Sequence, residues 1–411
     1  MSVESSAAPL VHRRSWAFAA LMASLSMLGP FAVDMYLPAF PAIGAEFGVT
    51  AIALQQTLSV YMIAYAFMML WHGALSDSLG RRPVVIAGLV VFALGTLGCA
   101  IAGNIESLWL SRVLQGLSAG AGLVVGRAII RDRFHGAEAQ RMMSQTTMVF
   151  GLGPAIAPIV GGALLNLLGW RSIFWGMFTW TAVMIVLCVR VLPETHPVAS
   201  RHPLRPRALL RNYRQVLGRP AFALLAFLLA FNFCAFFLYI AAAPAFLVDL
   251  LGVSTLGFAW LFVPMISGIM VGAFLSGRIA GRLSPMRTIR IGYAVLATGV
   301  LINLAVSYLL SPQVAWNVLP IFVYTIGSSL IMPSVTLILL DLFPTMRGMT
   351  SSLQGFVQFA LGAVVAGSIA PLLAHALTSL AWGMAAFTAA SFVLWLVYQR
   401  QSHPISKESL P

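Results

Sequence analysis

Residues 73–102 read GALSDSLGRR-PVVIAGLVVFALGTLGCAIA, a charged turn followed by twenty residues without a charge. As a helix, such a run reaches about 30 Å, the thickness of a bilayer's hydrocarbon core. Residues 52–72 on the other side of the turn are apolar and of similar length. Two apolar runs joined by a short polar turn make a helical hairpin that crosses a membrane twice.

The pattern repeats along the chain. Apolar spans fall at 16–37, 52–72, 83–102, 107–130, 143–166 and 171–192, then at 220–248, 257–279, 287–309, 315–340, 349–374 and 379–399. The expected fold is therefore an all-α integral membrane protein of twelve transmembrane helices. Composition agrees: of 411 residues, 60% are hydrophobic and 9% charged, against about 25% charged in ordinary soluble domains. A soluble fold so poor in charge could not cover its surface. The run from Trp16, preceded by His12, Arg13 and Arg14, has no small-x-small cleavage site and is read as a retained first helix.

Charge placement sets the number and direction of the spans. With the N-terminus inside, every basic residue except Arg112 and Arg171 falls on the cytoplasmic side, from Arg13 and Arg14 through Arg81, Arg82 and Arg131 to Arg400 and Lys407. One helix more or fewer would invert every later loop. The net charge of +13 is thus spent on orientation, and no basic domain gathers to hold nucleic acid. The sequence predicts a six-helix bundle at 1–192, a Pro- and Arg-rich cytoplasmic linker at 193–219, and a second six-helix bundle at 220–411. A weak repeat relates the halves: GALSDSLGRR at Gly73 has an echo, GRIAGRL, at Gly277. Parallel six-helix halves are a transporter architecture.

Few residues inside the spans carry chemistry. Asp34 is the one acid well inside an apolar run, and an intramembrane acid marks a functional position by default; the alternative is a carboxylate at headgroup level near Pro38. Arg112 lies at similar depth in the fourth span, roughly 6 to 8 Å below the outer interface. Desolvation favours a carboxyl group keeping its proton and a guanidinium favours its release, so a pair could titrate; it could also be a fixed structural ion pair. The GLSAGAGLVVG run at 116–126 holds two overlapping GxxxG patterns, Gly116/Gly120 and Gly122/Gly126, which suit close helix packing. Cys99, Cys188 and Cys234 are small apolar fillers. The histidines are scattered and imply no metal site, and no catalytic constellation points to an enzyme.

These segments also carry a resemblance. Gly73-Ala-Leu-Ser-Asp77-Ser-Leu-Gly80-Arg81-Arg82-Pro83 resembles the signature loop between helices two and three of the major facilitator superfamily. Leu110-Ser-Arg112-Val-Leu-Gln115-Gly116 resembles its helix-four motif, whose arginine is linked to proton coupling. The stretch with Gly153, Pro154, Pro158, Gly161 and Gly162 is similar to the helix-five motif of its exporters. Asp34-Met-Tyr-Leu-Pro38-Ala-Phe-Pro41, with Gly169-Trp170-Arg171, looks like the Bcr/CflA branch of drug:proton antiporters.

The resemblance implies two pseudo-symmetric six-helix bundles, with helices one, four, seven and ten around a central cavity that brings Asp34 near Arg112. It implies that Asp77, held by Arg81 and Arg82, sits against the start of the eleventh helix near Thr350, Ser351 and Ser352 and latches the cytoplasmic side. Gly73 would permit close helix contact there. Pro154 and Pro158 would kink the fifth helix into a tightly packed seam.

The expected function is proton-coupled antiport by alternating access, exporting drugs or other small amphipathic compounds. The competing reading is export of one metabolite, a sugar or nucleoside. No cofactor beyond the coupling proton is expected. The expected setting is a bacterial inner membrane, with both termini cytoplasmic and the chain acting as a monomer. Tyr36, Tyr61, Tyr65, Gln115, Asn232, Phe236, Tyr239 and Tyr324 are candidate cavity residues, and each is equally well read as helix packing.

Overall fold

A computed structural model describes residues 8–134, 136–201, 204–279, 282–344 and 346–402. The two chain ends, including Lys407, and the side chains of Arg13, Arg14 and Arg141 lie outside the described residues. The first half contains α1 (Ala8–Asp34), α2 (Phe40–Phe47), α3 (Ala51–Leu79), α4 (Arg81–Ala100), α5 (Ile105–Arg133), α6 (Gly136–Leu168) and α7 (Arg171–Val191). The second contains α8 (Pro206–Leu217), α9 (Pro220–Ala241), α10 (Ala259–Ile279), α11 (Pro285–Leu309), α12 (Val314–Asp341), α13 (Arg347–Val364), α14 (Ala370–Leu373) and α15 (Leu377–Ser402). Among the described residues, eleven helical segments are long and apolar enough to cross a membrane. The 33-residue α6 makes the twelfth expected span; its described apolar part is Ile156–Leu168.

Local sequence sets the boundaries. Asn104 accepts from the Ser107 amide at 2.8 Å, and the Ser107 hydroxyl receives the Asn104 amide at 3.4 Å, so α5 begins with a capping box. Ser284 caps α11, whose first residue is Pro285, and α9 likewise opens on Pro220. A proline there loses no helix bond, because the first amides have no partner within the helix. Two departures from the expected spans stand out. The first helix ends at Asp34, and the chain turns through Leu37–Ala39 into the separate α2. The eleventh span is not one regular helix: α13 passes through a π-helical turn, Val365–Ile369, into α14.

The chain divides into two compact units, Met1–Ala39 with Phe67–Leu204, and Phe40–Ala66 with Arg205–Pro411. The division falls inside the expected linker at Leu204, but the segment 40–66 groups with the second unit. Within that unit the π-helical turn explains part of the grouping. Gln56 donates to the Gly367 carbonyl at 2.7 Å, and Ser59 donates to the Ala363 carbonyl at 2.9 Å. A widened turn leaves carbonyls without their usual partners, and α3 supplies side-chain donors.

In the first unit, α1 packs between α5 and α6. A Cβ added at Gly122 would lie 2.2 Å from the Leu25 carbonyl oxygen, and one at Gly161 would lie 2.1 Å from that of Met35. Both are positions where only a hydrogen fits against the α1 backbone. Gly153 meets Met27 and Phe31 side chains further down the same seam. The helix α6 stays continuous through Pro154 and Pro158, and the Asn166 amide donates to the Gly162 carbonyl at 2.7 Å.

The surface suits a lipid solvent. Leu94, Leu110, Leu301 and Leu337 are exposed, while Thr96, Gln115, Asn232, Asn303 and Ser391 are buried. Polar groups withdrawn from hydrocarbon need partners inside the protein, and each of these residues makes at least one side-chain hydrogen bond.

The seam gives a contrast between two glycines. Gly161→Ala should destabilise the protein by about 1–3 kcal/mol, since the α1 backbone must move. Gly277→Ala, with nothing within 4 Å of its added Cβ, should be near neutral. Melting of the purified variants in detergent measures both, and equal melting temperatures would contradict the seam's importance.

Candidate functional site

The first helix ends where its charge sits. Asp34 is the last residue of α1 and is 5% exposed. At this end the Tyr36 amide bonds back to the Val33 carbonyl at 3.3 Å, a tightened turn that leaves the Ala32 carbonyl without its regular helix partner. Arg112, fully buried on α5, donates to that carbonyl at 2.8 Å. Its guanidinium also lies 4.9 Å from the centre of the Tyr36 ring. A cation at a helix C-terminus meets the negative end of the helix dipole, so Arg112 closes the end of α1 across the helix–helix interface.

Behind the guanidinium runs a relay of buried bonds. Arg112 donates to Gln115 Oε1 at 2.8 Å, one turn along α5, and Gln115 Nε2 donates to Thr96 Oγ1 on α4 at 2.7 Å. Thr96 in turn donates to the Phe92 carbonyl at 2.7 Å. Cys99 donates to Gln115 Oε1 at 3.6 Å, so this thiol does more than fill space. Gln115, Thr96 and Cys99 are all fully buried.

The structure thus brings Arg112, Gln115 and Tyr36 together around the last turn of α1. Among the described residues, Asp34 and Arg112 form no ion pair. Helix geometry gives the reason: position 34 is about 200° around the axis from Ala32, whose carbonyl takes Arg112 Nη1. Thr96 went unread in the sequence because a lone threonine in an apolar span carries no pattern. Its signal was its polarity among residues 83–102.

A second polar assembly forms at the C-terminal end of α3. Gly80 adopts φ +103°, a left-handed turn that separates α3 from α4. Arg81 then points back. Its guanidinium pairs with Asp77, donates to Ser76 Oγ at 2.6 Å and pairs with Asp132 at 3.0 Å. The Arg81 amide donates to Glu194 at 3.0 Å, and Arg201 pairs with the same carboxylate at 3.4 Å. Thr195 donates to Asp132 at 3.1 Å. Two sequence expectations need correction. Arg82 does not hold Asp77; it donates to the Val189 carbonyl on α7 at 2.5 Å, because adjacent residues at a helix start point about 100° apart. Gly73 makes no close helix contact, with Val124 4.0 Å from its added Cβ; the crowded glycine is Gly80, whose added Cβ would lie 2.5 Å from Arg201 and Glu194. Asp132 and Glu194 were missed as partners. Their signals were Arg131-Asp132-Arg133 closing the fourth span and Pro193-Glu194-Thr195 closing the sixth.

The other candidate cavity residues sit within the second unit. Tyr61 and Tyr65 have ring centres 6.1 Å apart, and Tyr65 lies 4.6 Å from Phe359. Asn232 accepts from Ser328 at 2.5 Å, and its carbonyl receives the Tyr324 hydroxyl at 3.3 Å. Tyr239 accepts from Asn303 at 2.6 Å, and Phe236 stacks edge-on against Phe233 at 5.2 Å. Tyr239, Tyr324 and Asn232 are each no more than 1% exposed and tie α9 to α11 and α12.

Residues 22–367 match the family model described as Major Facilitator Superfamily. The chain is 30% identical over 397 residues to a chloramphenicol resistance protein of Pseudomonas aeruginosa, covering 93% of this chain and 91% of that one. It is 29% identical over 368 residues to a bicyclomycin resistance protein homolog of Haemophilus influenzae, covering 88% and 90%. Among solved structures, a bacterial homolog of the human lysosomal transporter Spinster, inward-facing and occupied, superposes with a TM-score of 0.74. At 17% identity, over 97% of this chain and 98% of that one, it speaks for the fold alone.

The Gly80 turn yields a ranking. Arg81→Ala should lower stability by about 2 kcal/mol, because Asp77 and Asp132 lose their shared cation. Arg82→Ala, which gives up one exposed bond, should cost under about 1 kcal/mol. Arg81→Lys should recover only part of the loss, since an ammonium cannot reproduce the forked geometry. Melting temperatures of the three variants test the order, and a larger drop for Arg82→Ala would overturn it.

Proposed function

The chain belongs to the major facilitator superfamily, and from that premise we propose that it exports drugs or other small amphipathic compounds from the cytoplasm in exchange for protons. The cargo class is supported by the relatives, which are named for resistance to chloramphenicol and bicyclomycin. The observation that carries the coupling is Asp34: a carboxyl group with 5% exposure at the end of α1, on the same helix end whose Ala32 carbonyl is held by Arg112. An acid so withdrawn from water is costly as an anion, and it pairs with no cation among the described residues. It is placed to hold a proton in one state and release it in another.

The mechanism we infer is alternating access. With the binding region open outward, Asp34 takes a proton and affinity for cargo falls. After the switch the proton leaves on the cytoplasmic side, affinity recovers, and a new cargo molecule binds. Coupling requires that proton and cargo favour different states, because a ligand shifts an equilibrium only by its differential affinity. Arg112 acts here as a positioning residue. Anchored to the Ala32 carbonyl, it fixes the end of the helix that carries the carboxyl group. Exchange of one proton for one monocation moves no net charge, whereas a neutral cargo also draws on the membrane potential, about 2.3 kcal/mol per charge per 100 mV. The setting is a bacterial inner membrane, with both termini cytoplasmic as the arginine distribution favours.

Proteoliposomes under an imposed pH gradient test this directly. Asp34→Asn should reduce gradient-driven uptake of a fluorescent cationic drug by at least about tenfold, on the order of the 1.4 kcal/mol that a lost coupling step costs. Drug exchange without a gradient should persist. Gradient-driven transport by the variant with an unaltered pH profile would remove Asp34 from the coupling role.

A further inference from the structure

The linker contains a helix that the transport cycle does not call upon. Along α8, PRALLRNYRQVL, one edge is docked: Tyr213 and Val216 are buried where α8 packs against α9 and α13. At 100° per residue, Leu210 and Leu217 come next around the helix. They are 70% and 51% exposed. Beyond them follow Arg214, Arg207 and Arg211, all exposed. Among the described residues, the side chains of these three arginines make no hydrogen bond or ion pair. The helix therefore carries three stripes in order: one against the protein, one bare and apolar, one cationic.

Two further observations specify what covers the outer stripes. From Thr195 to Val248 the chain has no acidic residue, while Arg201, Arg205, Arg207, Arg211, Arg214 and Arg219 fall within nineteen positions. Arg201 has Glu194 as its counter-charge, but the segment after it supplies none. In addition, α8 is followed by only Gly218 and Arg219 before the membrane-spanning α9 begins at Pro220, so it lies where the chain enters the bilayer. Arg219 stays at that level, with its guanidinium 5.3 Å from the Phe343 ring centre. An apolar stripe beside a cationic one, held at the mouth of a span, matches an acyl chain beside a phosphate.

We propose that α8 is a binding site for anionic phospholipid in the leaflet where α9 begins. Leu210 and Leu217 meet the upper acyl chain, and Arg207, Arg211 and Arg214 hold the headgroup phosphate. Their aliphatic stems cover the boundary between the two.

The test uses the full-length protein purified in detergent, with retained lipid read by native mass spectrometry. Phosphatidylglycerol should be retained at a concentration at least about tenfold lower than phosphatidylcholine. Replacing the three arginines together (R207Q, R211Q and R214Q) should weaken phosphatidylglycerol retention on the order of 100-fold, from about fivefold for each arginine near an anionic surface. Phosphatidylcholine retention should not change. Retention equal to wild type would overturn the proposal, as would displacement of the lipid by inorganic phosphate at matched concentration, which marks a free-anion site. If the triple variant does not fold, salt substitutes for it: raising the wild type to 1 M shortens electrostatic reach to about 3 Å. Phosphatidylglycerol retention should then fall to the level of phosphatidylcholine, and unchanged preference would refute the site. None of these readouts depends on transport.

Discussion

A guanidinium with no access to water must find acceptors inside the protein, and most of the first unit follows from how Arg112 finds them. It takes the carbonyl that the last turn of α1 leaves over and the side chain of Gln115 one turn along its own helix. Gln115 is then held by Thr96, which ties α4 to α5. A single buried cation thereby fixes the end of one helix and the register of two others. Breaking any of these buried bonds would leave a donor or acceptor without its partner, at a cost of about 1–3 kcal/mol.

That arrangement depends on closeness, and closeness on small residues. The α1 backbone lies against Gly122 on one side and Gly161 on the other. Lipid offers helices no hydrophobic reason to associate, so contact area and hydrogen bonds must supply it. The glycines let α5 approach until the Arg112 side chain reaches a main-chain carbonyl. Asp34 inherits its burial from this packing. Its surroundings exclude water, and the carboxyl is 5% exposed. The assembly around Gly80 uses exposed and half-buried charges in the same unit, and there several partners share the load. Arg81 holds two carboxylates with its guanidinium and a third with its amide.

Much of this was legible in the chain. The succession of apolar runs gives the membrane spans, because hydrocarbon thickness fixes helix length. Gly80 and Arg81 announce a turn and a cation beside it, and Asp34 and Arg112 announce themselves as charges where charge is expensive. Thr96 and Asp132 do not. A threonine in a span or an acid at a helix end becomes a partner only when a distant residue arrives beside it. Tyr239, Tyr324 and Asn232 could not be placed from sequence, because aromatic and amide groups that suit a binding cavity also suit a buried helix contact; they bond across helices.

Length and hydropathy in the sequence determined by themselves that this is an all-α protein of many membrane spans, since those constraints act on each segment separately. Tertiary structure alone decided which atoms answer the buried charges: that Arg112 rests on the Ala32 carbonyl and not on Asp34, and that Arg81 rather than Arg82 gathers the carboxylates. Those outcomes turn on angles around a helix axis and on distances between helices, and both are set only once the bundle has packed.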